Sequence, residues 1–573
     1  MSLTLHPIPV VAVYNPIDDL SEKVLYTVEK GAQNVTSYIF NSSNTSNTGT
    51  VFIANPPNTH TTMDRKVYVR SKIAVKFTGN ASGDGGNLLR AGYDAPRAFP
   101  LSSVISSCVA SLNNTNINLA TANVVHPLTR MNFDTYTRKC VNGGAPSGLD
   151  FYCDYSDGVS QGSSFVRNPL SGVGSSTNES DEKRGFDTTG KFSFVTGNEN
   201  RWVKVVNNTP TEAEVEITVR EPLWLAPFSS GKGEHKGFNN VQTFTINLTY
   251  ISSLSRVWSH AQSSPASFTN VEVRMGAEFI QNGSAYDFNA VQPSLEVMYH
   301  TPSPLYKVPD LLQYDYYEVI RYATQGQNLA SGGVAQQFKT NNIILNSVPN
   351  KVIIYAKRQD ADLYATNGYQ YADSYCRLSQ VNILFNNRSG ILSQMSEYQL
   401  YQMSRKNGLN MSFSDWWITG SPLIMSPSSD WGMNNDSEAN GVQGQYNLQI
   451  QSNVENQSSN ALTFDFNIIV ISEGVLTLEA GGRTISELAC LSHKDVLDAT
   501  SRPWMRWSEL RKFGGSMYSS FRRNMPHAKL MKHGGAVSGG AVSGGAMSAG
   551  AMSAGAVSGG AKMHKKSLKH RLF

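Results

Sequence analysis

Val381 to Asn387 reads Val-Asn-Ile-Leu-Phe-Asn-Asn, and Leu112-Asn113-Asn114 ends a second strand-like run nearer the N-terminus. Phe385 and Leu112 stand 273 positions apart (385 − 112), as do the two asparagines after each of them and the later pair Leu392 and Leu119. An Asn-Asn pair accepts the left-handed backbone of a tight hairpin. Each copy therefore reads as a strand, a turn, a short apolar segment and a helix-like piece. Repetition at about half the chain length points to a duplicated β-domain.

The surrounding pattern is β-rich. Val215, Ile217 and Val219 alternate with Glu214, Glu216 and Thr218, which predicts a strand with one wet face. Phe244, Ile246, Leu248 and Tyr250 alternate in the same way, as do Ile73, Val75 and Phe77. Val352 to Tyr355 and Phe464 to Ile471 are more continuously apolar and predict strands buried on both faces. The best helix spans Leu392 to Lys406, with Leu392, Met395, Tyr398, Leu400 and Met403 on one stripe and Asn407-Gly408 as the stop. Long polar stretches at 41–49, 79–87, 143–148 and 171–187 separate the strands. Many strands, large loops and few helices argue for sandwiches or barrels.

Composition agrees. A chain of 573 residues exceeds one ordinary core, so two or more domains are expected. Charged residues make up 16%, against about 25% in an average soluble protein, and Asn, Ser, Thr, Gly and Tyr replace them. No apolar run approaches the roughly 20 residues that span a bilayer. The first residues lack a charged and then apolar leader, so secretion is not indicated. The Asn-x-Ser/Thr triplets at Asn34, Asn80, Asn247, Asn282 and Asn410 then follow from composition. Cys108, Cys140, Cys153, Cys376 and Cys490 are odd in number and widely spaced, and read as buried thiols in place of a disulfide framework or metal site.

A search for chemistry returns no catalytic residue, no metal site and no cofactor motif. The nucleophile-elbow, Walker A, zincin and EF-hand patterns are all missing. Cys490 and His493 have a ligand-like spacing but no second pair. Acids at Asp18-Asp19, Glu179 to Glu182 and Asp310 to Glu318 read as solvated loop carboxylates, with a glycosidase pair as the alternative. Trp416-Trp417, and Trp504 with Trp507, read either as core-edge or subunit-contact residues or as a stacking platform for a sugar or base.

Two segments carry a family resemblance. Arg97 to Ile105 (Arg-Ala-Phe-Pro-Leu-Ser-Ser-Val-Ile) leads into Leu112-Asn113-Asn114 and a helix-like piece ending at Met131. Val381 to Asn387 leads into Tyr398 to Ser412 (Tyr-Gln-Leu-Tyr-Gln-Met-Ser-Arg-Lys-Asn-Gly-Leu-Asn-Met-Ser). In this order the chain resembles the major capsid proteins of Polinton-like viruses, virophages and adintoviruses over about residues 60–480. The resemblance implies an all-β fold of two tandem eight-stranded jelly rolls, with large loops and few short helices. It further implies a homotrimer making a pseudo-hexagonal tile of an icosahedral double-stranded DNA virus shell, in contact with neighbouring capsomers and a minor (penton) capsid protein. The location implied is the virion, assembled inside the host cell. A β-rich carbohydrate-binding or carbohydrate-active protein, and a viral fibre or spike, are the alternatives.

The expected organisation is an N-terminal arm at 1–20, a first jelly roll at 21–270, a second at 271–500, a basic amphipathic segment at 501–533 and a tail at 534–573. Residues 501–573 hold 13 Lys/Arg and one acid, Glu509, a balance of +12. The whole chain has 48 basic and 44 acidic residues, so residues 1–500 carry 35 and 43, or −8. The tail contains a Gly/Ala/Ser five-residue repeat that is not expected to fold. Viruses of the resembled kind encode a cysteine protease that favours an apolar residue, any residue and two glycines. That pattern makes Gly540, Gly545 and Gly560 candidate processing sites, with a flexible tether as the other reading. Lys562, Lys565, Lys566, Lys569 and Arg571 are candidates for contact with packaged DNA or a scaffold partner, or for a nuclear address.

Overall fold

The structure, a computed structural model, describes residues 10–13, 24–27, 34–57, 61–81, 87–89, 94–96, 99–132, 203–228, 237–260, 266–301, 310–331, 333–359, 375–386, 388–418, 420–433, 439–456, 461–488 and 491–501. Residues 1–496 form one compact unit; of the second, 497–573, only 497–501 are described.

In chain order the first half contains β1 (Asn34–Asn41), β2 (Gly49–Ile53), β3 (Tyr68–Ala81), β4 (Ile105–Leu112), β5 (Thr115–Leu119), α1 (Thr121–Asn132), β6 (Val203–Asn208), β7 (Glu212–Pro222), β8 (Phe244–Tyr250), β9 (Ala266–Met275), β10 (Ala277–Asn282), β11 (Ala285–Ala290) and β12 (Ser294–Thr301). One sheet has the order β1-β12-β3-β7-β6, with β9 also on β3. The facing sheet has the order β5-β4-β8-β2. All pairings are antiparallel.

The second half repeats this plan. Its elements are β13 (Leu311–Leu329), β14 (Ala335–Lys339), β15 (Ile343–Ser347), β16 (Lys351–Arg358), β17 (Tyr375–Phe385), β18 (Arg388–Ile391), α2 (Glu397–Lys406), α3 (Phe413–Ile418), β19 (Leu423–Met425), β20 (Gln443–Glu455), β21 (Leu462–Glu479) and β22 (Thr484–Leu488). One layer is β13-β21-β16-β19 and the other is β14 and β15 on β20, then β17 and β18. In the first half β1 pairs with β12, β12 with β3, and β4 lies between β5 and β8; in the second β13 pairs with β21, β21 with β16, and β17 lies between β18 and β20. That order is a jelly roll, and the chain is two of them in tandem.

The local signals explain these elements. Asn113 and Asn114 have φ of +46° and +75°, and Asn386 has φ of +52°, so both hairpins turn on the left-handed backbone that Asn tolerates. Asn387 lies outside the described residues. In β8 every second side chain is buried, as alternation requires, whereas β16 is buried continuously from Val352 to Arg358. The expected helix from Leu392 starts five residues later. Leu392 itself has φ of +66°, which no α-helix contains. Ser396 caps α2 instead: its amide donates to Gln399 Oε1 (2.9 Å) and its hydroxyl accepts from the Gln399 amide (3.4 Å).

Three expectations about position change. Glu214 and Glu216 do not face water: they are 1% and 7% exposed. The β10–β11 hairpin folds over the outer face of β3 and β7, where Ala277 and Phe279 cluster with Ala74 and Val206. Glu216 accepts the Phe279 amide (2.7 Å), and Glu214 lies 3.3 Å from Lys76 Nζ. Second, position 270/271 falls inside β9, which pairs with β3 from Ala266↔Ala81 to Met275↔Ile73. Hydrogen bonding continues the first sandwich through Thr301. Third, the 1–20 arm contains strand Val10–Val13, paired antiparallel with Val24–Thr27 across the 20/21 boundary.

Candidate functional site

The joint between the two sandwiches is the most elaborated site in the described residues. β13 and β21 form a ribbon of 19 and 18 residues, longer than one sandwich needs. At one end its Leu329, Leu462, Phe464 and Phe466 lie in the second core. At the other, Tyr314, Tyr316, Leu476 and Leu478 are buried in the first core. In return, Met131 at the end of α1 is buried in the second core, and Leu128 packs against both.

Polar contacts fix the register of this joint. Tyr314 Oη donates to the Gly237 carbonyl (2.8 Å), its ring lies 4.9 Å from that of Phe238, and the Arg65 guanidinium sits 6.0 Å above it. The Asn410 amide donates to the Met131 carbonyl (2.7 Å), and Thr115 Oγ1 donates to the Thr484 carbonyl (2.7 Å). Each half thus supplies side chains that the other half buries. Separation would expose apolar surface at roughly 25 cal/mol per Å² and break these hydrogen bonds, so the two sandwiches hold together as one body.

The duplicated turns have duplicated roles. Asn113 Oδ1 accepts from the amides of Gln242 (2.7 Å) and Thr243 (3.1 Å), and its Nδ2 donates to the Asn240 carbonyl (2.8 Å). Asn386 Oδ1 accepts from the Asn447 amide (2.8 Å). In both halves the hairpin tip is tied to the strand beside it, β8 or β20.

Of the residues singled out for chemistry, few come together. Cys108 and Cys376 are free and buried; burial pushes the Cys108 thiol up to about 12 and Cys376 well above its ordinary value. Neither is a reactive thiolate. Among the described residues no three His, Cys, Asp or Glu side chains are grouped to hold a metal ion. Trp416 is fully buried, with Nε1 donating to the Pro422 carbonyl (2.7 Å), so it is a core residue. Trp417 is half-buried, stacked on Phe413 (6.2 Å between centroids) and under Arg377 (4.4 Å). Asp18, Asp19, Glu179 to Glu182, Cys140, Cys153, Cys490, Trp504 and Trp507 lie outside the described residues. So do Gly540, Gly545, Gly560, Lys562, Lys565, Lys566, Lys569 and Arg571.

One buried acid gave no signal in the sequence. Glu221, at the end of β7, accepts from the amides of Leu101 (2.8 Å) and Ser102 (2.7 Å) and from the Ser102 hydroxyl. Burial pushes its carboxyl up to about 7, against the opposing pull of the three donors. Its partners lie about 120 residues away, so no local pattern announces the site.

Residues 8–294 match the family described as Sputnik virophage major capsid protein 1st domain, and residues 319–418 match Major capsid protein V20 C-terminal domain. The chain is 29% identical to capsid protein V20 of Sputnik virophage over 546 residues, covering 91% of this chain and 87% of that protein. The cryo-EM structure of the Sputnik virophage at 3.5 Å contains a similar chain, with TM-score 0.71, 28% identity, and coverage of 90% of this chain and 100% of that one. The crystal structure of the mavirus major capsid protein shares the fold, with TM-score 0.60, 15% identity, and coverage of 86% and 98%.

Proposed function

The chain belongs to the Sputnik virophage major capsid protein family, and from that premise we propose that three copies close into a pseudo-hexagonal capsomer. It is a major capsid protein of the type found in virophages and large DNA viruses, a structural component of the virion and not an enzyme. The observation that carries the capsomer reading is the joint. Two equivalent jelly rolls locked by shared cores give a unit in which three copies supply six barrels. Sheets closed into sandwiches also leave few open edges, which suits crowding in a shell.

The supporting experiment is size exclusion with light scattering, followed by negative-stain microscopy. A stable species of three chain masses, with hexagonal outlines, is expected. A monomer at all concentrations sinks the proposal. Neighbouring capsomers and a minor penton protein are the further partners proposed.

We assign the first jelly roll to residues 34–301 and the second to 311–488, because sheet pairing in each closes within those limits. For the tail, we propose removal by a viral cysteine protease after Gly540, Gly545 or Gly560. Before removal, Lys562, Lys565, Lys566, Lys569 and Arg571 meet packaged DNA. Glycine admits a narrow protease groove where a Cβ would clash, and clustered cations release counterions from a phosphate backbone.

A further inference from the structure

We propose that Asn282, at the tip of the β10–β11 hairpin, is a site of self-modification, where the Gly283 main-chain nitrogen displaces the side-chain amide and water converts the residue to aspartate and isoaspartate. The fold makes the site, because two other Asn-Gly pairs of the same chain are locked against this reaction. Asn142-Gly143 and Asn367-Gly368 lie outside the described residues.

The described residues contain three Asn-Gly pairs, beginning at Asn282, Asn407 and Asn440. Glycine matters at the second position because no Cβ shields the attacking nitrogen. Asn407 Nδ2 donates to the Met403 carbonyl (3.0 Å), the Ile424 carbonyl (3.2 Å) and Asp430 Oδ2 (2.6 Å), and the Gly408 amide donates to the Arg405 carbonyl (3.2 Å). Asn440 Nδ2 donates to the Asn350 carbonyl (3.3 Å) and Ser426 Oγ (3.0 Å), and its Oδ1 accepts from the Ser428 amide (3.1 Å). The Gly441 amide donates to the Val348 carbonyl (2.8 Å). In both pairs the side chain and the attacking nitrogen are committed elsewhere. Asn282 differs on both counts. Its Nδ2 makes one exposed bond, to Asp287 Oδ2 (3.1 Å), and among the described residues nothing accepts from the Gly283 amide. Gly283 has φ of +66° and open space where a side chain would stand, with nothing within 4 Å. Residues 281–285 are all exposed, so the rotation that brings nitrogen to Cγ displaces no packed side chain.

The steps balance without an oxidant or reductant. Hydroxide takes the Gly283 amide proton, and the nitrogen attacks Asn282 Cγ. The new C–N bond closes a succinimide ring, the Cγ–Nδ2 bond breaks, and ammonia leaves with a proton from water. Water then opens the ring at Cγ to give aspartate, or at the main-chain carbonyl to give isoaspartate. Either product puts a carboxylate beside Asp287 and removes the donor that bridged to it. The formal net charge falls from +4 to +3 (4 − 1). Isoaspartate also adds a main-chain carbon at the turn, against the Asn282↔Ala285 register. The Phe279 amide that bonds Glu216 lies further inside β10, so the hairpin stays seated while its tip carries a permanent mark of the chain's age.

The test incubates the purified full chain at neutral and mildly alkaline pH and maps its peptides by mass spectrometry. Aspartate and isoaspartate are expected at position 282, accumulating about tenfold or more faster than at 407 or 440, because the locked pairs react only after local opening. The rate should rise in proportion to hydroxide. In urea that unfolds the chain, the three pairs should converge to within about twofold, since the native hydrogen bonds that separate them are gone. Asn282→Gln, which needs a larger ring, should lose the early acidic form on isoelectric focusing and keep the wild-type circular dichroism. Equal rates at the three pairs in the folded chain, or an intact Asn282 after Asn407 or Asn440 has reacted, overturn the proposal. A preference for Asn282 that persists in urea assigns it to local sequence and overturns the role of the fold.

Discussion

The Glu221 carboxylate accepts both the amide and the hydroxyl of Ser102, at the start of the turn that feeds β4. Trp224 Nε1 donates to the same hydroxyl (3.0 Å), and Thr121 Oγ1, at the start of α1, donates to the Ser102 carbonyl (3.1 Å). One acid therefore fixes the junction of β7, β4 and α1. Burial raises its folded-state value from 4.5 to about 7, so the folded protein holds a proton that the unfolded chain releases. The contribution is fully present below 4.5 and is lost as pH rises to about 7, an upper bound on the order of 3 kcal/mol. Urea midpoints should fall between pH 5 and 7.5 in wild type and stay flat across that window in Glu221→Gln. An unchanged slope in the variant would assign the effect to another group.

The paired turns predict a ranking. Asn113→Ala loses three hydrogen bonds at a partly buried site and puts Ala at φ +46°. Asn386→Ala loses one exposed bond at φ +52°. Expected costs are about 2–4 and about 1–2 kcal/mol. Thermal unfolding of both variants checks the order, and a larger loss for Asn386→Ala would contradict it.

At the joint, Tyr314→Phe should cost about 1 kcal/mol for the bond to Gly237, while Tyr314→Ala should cost about 3–5 kcal/mol through the cavity left between the cores. The diagnostic readout is cooperativity. Wild type should unfold in one transition, and Tyr314→Ala should separate the halves into two. A single transition in the alanine variant would show that the remaining contacts suffice to hold the joint.

Under the β10–β11 hairpin, Lys76 is the cation beside the 1% exposed Glu214. Lys76→Met should cost about 2–3 kcal/mol, discounted from a fully buried pair because Lys76 is itself partly exposed. Lys76→Met with Glu214→Leu should recover most of that loss, since no uncompensated charge remains. Failure to recover in a urea titration would locate the cost in packing of the lysine stem instead.

The fate of Glu214 marks where the sequence stops being legible. Alternation in β7 correctly separates Val215, Ile217 and Val219 from their neighbours, because a strand's two faces are a local property. Whether the second face is wet depends on a hairpin more than 60 residues away, which local periodicity does not encode. The Asn turns were readable because the asparagine itself supplies the unusual backbone. The apolar stripe sets the helix start too early, because Leu392 continues the stripe while its φ of +66° forbids the helix; the Ser396 and Gln399 capping pair is the usable signal. Glu221 and the joint at Tyr314 both depend on partners far along the chain.

The tail predictions rest on sequence alone. Val537, Val542 and Val557 each precede Ser-Gly-Gly-Ala, whereas Met547 and Met552 precede Ser-Ala-Gly-Ala. An added Cβ at the first glycine should be excluded from a groove shaped for glycine, so the three Val sites should be cut and the two Met sites spared. Mass spectrometry of chains from purified particles should find C-termini at Gly540, Gly545 or Gly560, and none at Gly550 or Gly555. Replacing the first glycine of each Val site, Gly539, Gly544 and Gly559, by Ala should leave the chain intact to Phe573. Cutting would also remove Lys562, Lys565, Lys566, Lys569 and Arg571, five of the chain's 48 basic residues, and take the net charge from +4 to −1. If those residues hold DNA during packing, the uncut variant should retain DNA to higher salt than the mature shell does, by the counterion-release slope of five fewer contacts. Wild-type particles that keep Phe573 would remove processing and leave the repeat as a tether.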